Sequence, residues 1–332
     1  MRDTPGFRIA VFLLLVLLVV AVGVFSLCVG TVWVSPGRLL KLLHTPHGTL
    51  ASIVWDLRLP RVLLGFAVGG ALSLSGVLLQ GLFRNPLVEP YTLGISGGAA
   101  LGVALVISLG LGGGVVSLPL AGFCGGMAVI VLLYALSARK GILKIEGLLL
   151  TGVMLSFISS SLIMLVMALS KAEDLHGIVF WIMGFLGDAS WKTVLFMLTV
   201  SIGGLLVSYP LSLSLNALAL GEEEAIHLGV EVERTKRMVF LLASLLTGLC
   251  VAASGVIGFV GLVVPHGVRL VLGNDHRLLM PGAFLFGAVF LTLCDTLART
   301  IISPMELPVG VITGIVGGVL FIHALGRRGV GL

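Results

Sequence analysis

Stretches of about twenty apolar residues recur through this 332-residue chain, and only a bilayer can take up so many of them at once. Hydrophobic residues make up 58% of the sequence and charged residues 11%, against about a quarter charged in a soluble domain. A soluble globular fold is therefore excluded. Lipid offers no partners for backbone N–H and C=O groups, so each span must satisfy its own as a helix. The sequence predicts an all-α polytopic membrane protein, one transmembrane domain over 1–332, with crossings near 9–31, 60–82, 92–110, 115–137, 145–169, 191–212, 238–257, 259–273, 280–302 and 307–325. The first run, Ile9 to Val29, is too long for a signal-peptide core and reads as a retained helix. Pro265, His266 and Arg269 interrupt the eighth.

A small-residue signature occurs twice. Gly69, Ser75, Gly76, Val77 and Pro86 recur 179 positions later as Gly248, Ser254, Gly255, Val256 and Pro265. With the amino terminus inside, ten crossings return the carboxyl terminus to the same side, and 13 of the 20 basic residues then face the cytoplasm. Under that orientation the two copies run in opposite directions, so repeat halves near 60–170 and 238–325 form an inverted repeat, an architecture of transport pathways. Chance similarity between two Gly/Ala/Leu-rich helices is the plainer alternative.

Four places carry chemistry or geometry. Arg58 and Arg61 flank Pro60, and Arg299 ends the ninth crossing, all on the side that positive charge should avoid. Pro60 suits a first helical turn, so these guanidinium groups either form an outer site for carboxylates or snorkel to lipid phosphate. Asn85-Pro86-Leu87 breaks the inner end of the second crossing, as a gate or as a tight turn. Gly152, Ser156 and Ser160 on one span, and Gly310, Gly314 and Gly318 on another, form stripes for close helix packing or for an uncharged conduit. The loop 213–237 holds a short helix expected from Ala217 to Leu228 with Gly229 as its stop, including Leu218, Gly221, Glu222, Glu223 and Ala225. It suits a docking surface for a soluble partner or an ordinary solvated connection.

No nucleotide, hydrolase or paired-cysteine motif is present in the sequence, so the chain is expected not to be an enzyme, and any ATP hydrolysis belongs to another polypeptide. Cys28, Cys124, Cys250 and Cys294 lack metal-ligand spacing and read as packing residues; seven scattered histidines, His44 and His47 among them, give no metal site. An ion-coupled carrier should keep intramembrane carboxylates, yet Asp295 is the one expected well inside a span, with Glu146 and Glu306 at span ends. Asp295 and Arg299, four apart, could pair along one face.

The blocks LRLPRVLLGFAVGGALSLSGVLLQGLFRNPLVEPYTLGISGG, FWIMGFLGDASW, ALGEEEAIHLGV, SGVIGFVGLVVPHGVRLVLGNDHR and ELPVGVITGIVGG follow one another along the whole chain. Together they resemble the FecCD/BtuC-type ABC importer permeases, which take up iron-siderophores, haem or cobalamin. The resemblance implies a homodimer in a prokaryotic cytoplasmic (inner) membrane, with a metal-chelate pathway between the copies along the fifth and tenth helices. It implies two cytoplasmic ATPase subunits holding ATP and Mg²⁺, no cofactor on this chain, an external or periplasmic substrate-binding protein, and no nucleic-acid partner. Arg58, Arg61 and Arg299 then match the arginines that meet glutamates of the binding protein, 213–230 matches the ATPase-coupling region, and Asn85-Pro86-Leu87 matches the inner gate.

Overall fold

One long helix organises the chain. In the computed structural model, which describes residues 5–44, 48–111, 117–139 and 142–327, helix α1 (Pro5–Cys28) is followed by the short α2 (Pro36–His44). Arg2, His47, Lys140 and Arg328, counted above among the basic residues and histidines, lie outside the described residues. Then α3 (Thr49–Ser52) runs through a π-helical stretch, Ile53–Arg58, straight into α4 (Leu59–Phe83). Pro60 was expected to open this helix, but it sits within a continuous helix, Thr49–Phe83. A proline inside a helix has no N–H for the fourth residue back and presses on its carbonyl; the wider π stretch just before Pro60 accommodates both defects.

The remaining helices are α5 (Ile95–Ser108), α6 (Ser117–Ser137), α7 (Ile145–Leu169), α8 (Ala172–Ile182), α9 (Trp191–Ser208), α10 (Ser212–Leu218), α11 (Glu222–His227), α12 (Val232–Ser254), α13 (Val260–Leu272), α14 (His276–Ala298) and α15 (Val309–Arg327). A hairpin of two-residue strands, β1 (Ala138–Arg139) and β2 (Ile142–Leu143), joins α6 to α7. Each of the ten expected crossings coincides with a helix. Among the described residues, however, seven helices are long and apolar enough to span a membrane, and α5, α13 and α15 are shorter apolar segments. The 14 residues of α5 cover about 21 Å, less than the ~30 Å of a hydrocarbon core.

Small residues explain why α4 is buried on every side. A Cβ on Gly69 would overlap the Gly287 carbonyl, one on Gly76 the Gly261 carbonyl, and one on Gly81 would stand 2.8 Å from His276 Nε2. Numbers rise along α4 as they fall along α14, from Arg61 beside Asp295 to Gly81 beside His276, so the two helices are antiparallel. By contrast α1 and α7 present rows of exposed Leu, Ile, Val, Met and Phe, as lipid- or partner-facing helices must. Gly76→Ala should therefore force α4 from α13 and lower stability by about 1–3 kcal/mol, because the obstacle is backbone. Gly314→Ala, inside α15 with no atom within 4 Å of the new carbon, should raise stability in detergent by about 0.5–1 kcal/mol.

Two breaks carry irregular backbone inside the bundle. After α4, Arg84 turns left-handed (φ 49°), a 3₁₀ turn forms at Pro90–Leu93, and Gly94 (φ 80°) opens α5. After α12, the chain is irregular over 255–258 and Phe259 (φ 68°) opens α13. Cys250 faces Val68, whereas Gly261 faces Leu72 and Gly76, so the second break carries the chain back along α4. Each break thus runs helix, irregular stretch, left-handed cap, shorter helix. The 179-residue signature does not mark equivalent positions, which corrects the reading from sequence: Ser75-Gly76 lies mid-helix in α4, while Ser254-Gly255 lies at the end of α12. Pro86 is likewise in a turn and Pro265 inside α13. Gly69, Gly76 and Gly255 each meet a backbone carbonyl closely, whereas a carbon added at Gly248 has its nearest neighbour at 4.0 Å, so the copies share residue types without a shared place.

Candidate translocation and docking sites

The three arginines expected on an outer face do meet at one end of the bundle, but buried. Arg58, Arg61 and Arg299 are 5%, 7% and 6% exposed. Arg58 donates to the carbonyls of Leu27 (2.7 Å) and Val32 (2.5 Å), satisfying acceptors left over where α1 ends. Arg61 lays its Nε and Nη2 on Asp295 at 3.0 and 2.9 Å, gives Nη1 to Glu306 at 2.7 Å and stacks over the Phe185 ring at 5.3 Å. Arg299 donates Nη2 to the Ser26 carbonyl and, at 2.7 Å, to Ser26 Oγ. Its Nε is 3.8 Å from Asp295, so the pairing expected along one helix face is the weaker contact and the cross-helix partner Arg61 holds the carboxylate. This corrects the picture of three open guanidinium groups: acceptors from α1, Val32, α14 and Glu306 already bind all three, although Arg299 Nε itself makes no hydrogen bond. Three cations against two carboxylates leave one net positive charge, and Glu306, with its side chain 40% exposed, is the accessible carboxylate.

At the opposite end of α4, Asn85 Oδ1 accepts the Leu87 N–H at 2.9 Å, which fixes the Asn85-Pro86-Leu87 turn with Pro86 and Leu87 exposed. Sequence reasoning missed the residue that anchors it. Glu89 Oε1 accepts the Phe259 N–H at 2.5 Å, placing a carboxylate on the N-terminus of α13, and the Tyr91 hydroxyl accepts the Ile257 N–H at 3.2 Å. The two breaks are thereby tied together. A carboxylate between Pro86 and Pro90 in an otherwise apolar stretch was the available signal. Phe259 in turn packs on Gly317, with Gly318 at its ring edge.

The small-residue stripes divide. Gly152 is buried against Thr92 and Leu93, Ser156 Oγ donates to the Gly152 carbonyl at 3.0 Å, and Ser160 is exposed. Gly310 lies against the carbonyls of Met183 and Val256, while Gly314 faces open space. One end of each stripe is a packing contact; Ser160 and Gly314 are the positions left open.

The loop after α9 was expected as one helix over Ala217–Leu228. It is two, because Gly221 adopts φ 137° and ψ 157°, a conformation open to glycine alone, and separates α10 from α11. Ala217, Leu218 and Ala225 are buried, which seats both helices, and Gly229 (φ 81°) stops α11 as expected. Glu222 and Glu223 sit in the first turn of α11, where its dipole favours them. Leu220, Ile226 and Leu228 are 68%, 60% and 64% exposed beside these acids. Such an apolar cluster rimmed by charge has the character of an interaction surface. Asn216 anchors α10 to the start of α14, donating to Asp275 at 2.8 Å and accepting the His276 N–H at 2.9 Å. The Arg277 guanidinium holds the Asp275 carboxyl well below the usual carboxylate range.

Residues 16–327 match the FecCD transport family. The hemin transport system permease protein HmuU of Yersinia pestis is 39% identical over 332 residues, covering 96% of this chain and 95% of its own length. The vitamin B12 import system permease protein BtuC of Salmonella paratyphi A is 39% identical over 314 residues, covering 93% and 92%. A solved metal-chelate type ABC transporter in an inward-facing conformation aligns with a TM-score of 0.84 at 32% identity, covering 96% of this chain and 99% of that one. A match that takes in every helix, both breaks and both ends of the bundle leaves one conclusion: the chain belongs to the FecCD transport family.

Proposed function

We propose that this chain is the membrane-spanning subunit of an ATP-driven importer of a metal chelate, haem or a ferric siderophore. It works as a homodimer in the inner membrane, with both termini cytoplasmic, two ATPase subunits bound inside and a substrate-binding protein outside. The observation that carries this reading is the full-length likeness to the haemin permease, within a family matched over 16–327. Cobalamin is the second reading, because the vitamin B12 permease is 39% identical as well. The binding protein docks at the Arg58 end, where a partner carboxylate meets the net positive charge and competes with Glu306 for Arg61. The ATPases dock on α10 and α11, and ATP and Mg²⁺ stay on those subunits. Between the copies, Ser160 of the α7 stripe and Gly314 of the α15 stripe line an uncharged conduit that passes a bulky chelate without holding it; Asn85, Pro86 and Leu87 close its inner end. The test is ATP-dependent uptake by proteoliposomes holding the chain, its ATPase and its binding protein. Uptake of haem, a ferric siderophore or cobalamin supports the reading and names the cargo; none above the ATP-free background contradicts it.

The ATPase surface gives a separate expectation. Gly229 is left-handed with no neighbour within 4 Å, so Gly229→Val meets no steric obstacle but strains its backbone by about 1–2 kcal/mol. The end of α11 should shift, and substrate-stimulated ATP hydrolysis should fall while binding-protein association in a pull-down persists. Normal stimulation would separate α11 from ATPase coupling.

A further inference from the structure

One buried cation lies outside every site assigned so far. Lys236, near the start of α12, has a side chain 4% exposed and donates to Glu222 Oε2 at 2.6 Å and to Glu233 Oε1 at 3.1 Å. Glu222 opens α11. The other oxygen of Glu233 accepts the Leu143 N–H at 2.8 Å, and Leu143 ends the hairpin two residues before α7 begins. The same side chains line a cleft of about 420 Å³ whose other walls are Phe83 and Arg84, next to the Asn85 turn, and Lys144 and Glu146, at the entry to α7. The ammonium joins Glu222 of α11 to Glu233 of α12, and Glu233 carries the link to the hairpin before α7, 90 positions away in the chain.

The energetics argue against a purely stabilising role. Desolvation offsets most of the attraction of a buried ion pair, and an apolar side chain of similar volume often serves stability as well. What charge-assisted hydrogen bonds add is fixed geometry. Lys236 and Glu233 stand three residues apart on one helix, so they turn as a unit. A displacement of Glu222 is then passed to Glu233 and to the Leu143 amide instead of being lost in side-chain rotation.

We infer that Lys236 is a positioning residue that transmits movement of the ATPase-docking helix α11, through Glu233 and the Leu143 amide, to the pathway helix α7. This rests on the reading of α10 and α11 as the ATPase surface and of Ser160 as part of the pathway. The test uses the assembled transporter, carrying Ser160→Cys in a background without the native cysteines, and compares thiol labelling with and without trapped ATP. Lys236→Met should keep the ATPase subunits bound on co-purification yet lose the nucleotide dependence of labelling, and chelate moved per ATP hydrolysed should drop about tenfold, within the 5–150-fold range of coupling between sites. Glu222→Gln, on a partly exposed side chain, tests the link without emptying a buried site. It should lower the same ratio in the parent, and add little in the Lys236→Met background. Labelling that responds to nucleotide equally in parent and Lys236→Met, or additive losses in the double variant, would overturn the relay. A parent whose Ser160→Cys never responds to nucleotide would remove the pathway reading, and the relay with it.

Discussion

Asp295→Ala is expected to unfold the protein or to lower its stability by about 3–5 kcal/mol, because it strands the buried Arg61 guanidinium without its principal partner. Asp295→Asn keeps an acceptor for Arg61 and should lose less. Thermal unfolding in detergent, followed by size exclusion, measures both. The same geometry changes what charge reversal at Arg58, Arg61 and Arg299 would do. Glutamates there would face Asp295 and the carbonyls of Leu27, Val32 and Ser26 inside the bundle, so the fold should fail before docking can be read. Glu306, at the exposed rim, is the position where docking and folding can be separated.

This cluster shows what the sequence could and could not yield. The arginines were legible at one end of the bundle because basic residues on a depleted side stand out against the positive-inside bias. Their burial was not, since Asp295 lies 234 positions from Arg61 and Ser26 lies 273 from Arg299, and no local pattern links such residues. The helices followed from apolar length alone, and the short α13 agrees with the expected 259–273, whereas α5 starts later than the expected 92 because a 3₁₀ turn over Pro90–Leu93 and the left-handed Gly94 precede it. Gly229 was read correctly as a helix stop, whereas Gly221 was absorbed into a run of helix-favouring glutamates. Glu89 escaped notice because its partner is a backbone amide 170 positions away.

Gly314→Trp is expected to abolish chelate uptake while the protein stays folded. No atom lies within 4 Å of a carbon added at Gly314, so the side chain leaves α15 without an obstacle at its first carbon, and the indole is expected to enter the proposed conduit. Gly310→Ala, four residues earlier, should do the reverse: its methyl group collides with the carbonyls of Met183 and Val256, and folding suffers by about 1–3 kcal/mol. Uptake in proteoliposomes, paired with thermal midpoints, separates the two outcomes. Unimpaired uptake in a folded Gly314→Trp protein would move the conduit away from α15.

An importer of this kind must never be open at both ends, and that alternation is the heart of the proposed function. Cysteines placed singly at Ser160 and at Leu87, in a background without Cys28, Cys124, Cys250 and Cys294, report the two ends of the conduit. In the assembled transporter, membrane-impermeant thiol reagents added from each side, with and without trapped ATP, should give reciprocal labelling, Ser160→Cys rising in the state where Leu87→Cys falls. Both positions reactive in the same state, or neither responding to nucleotide, would contradict an ATP-driven pathway through this chain.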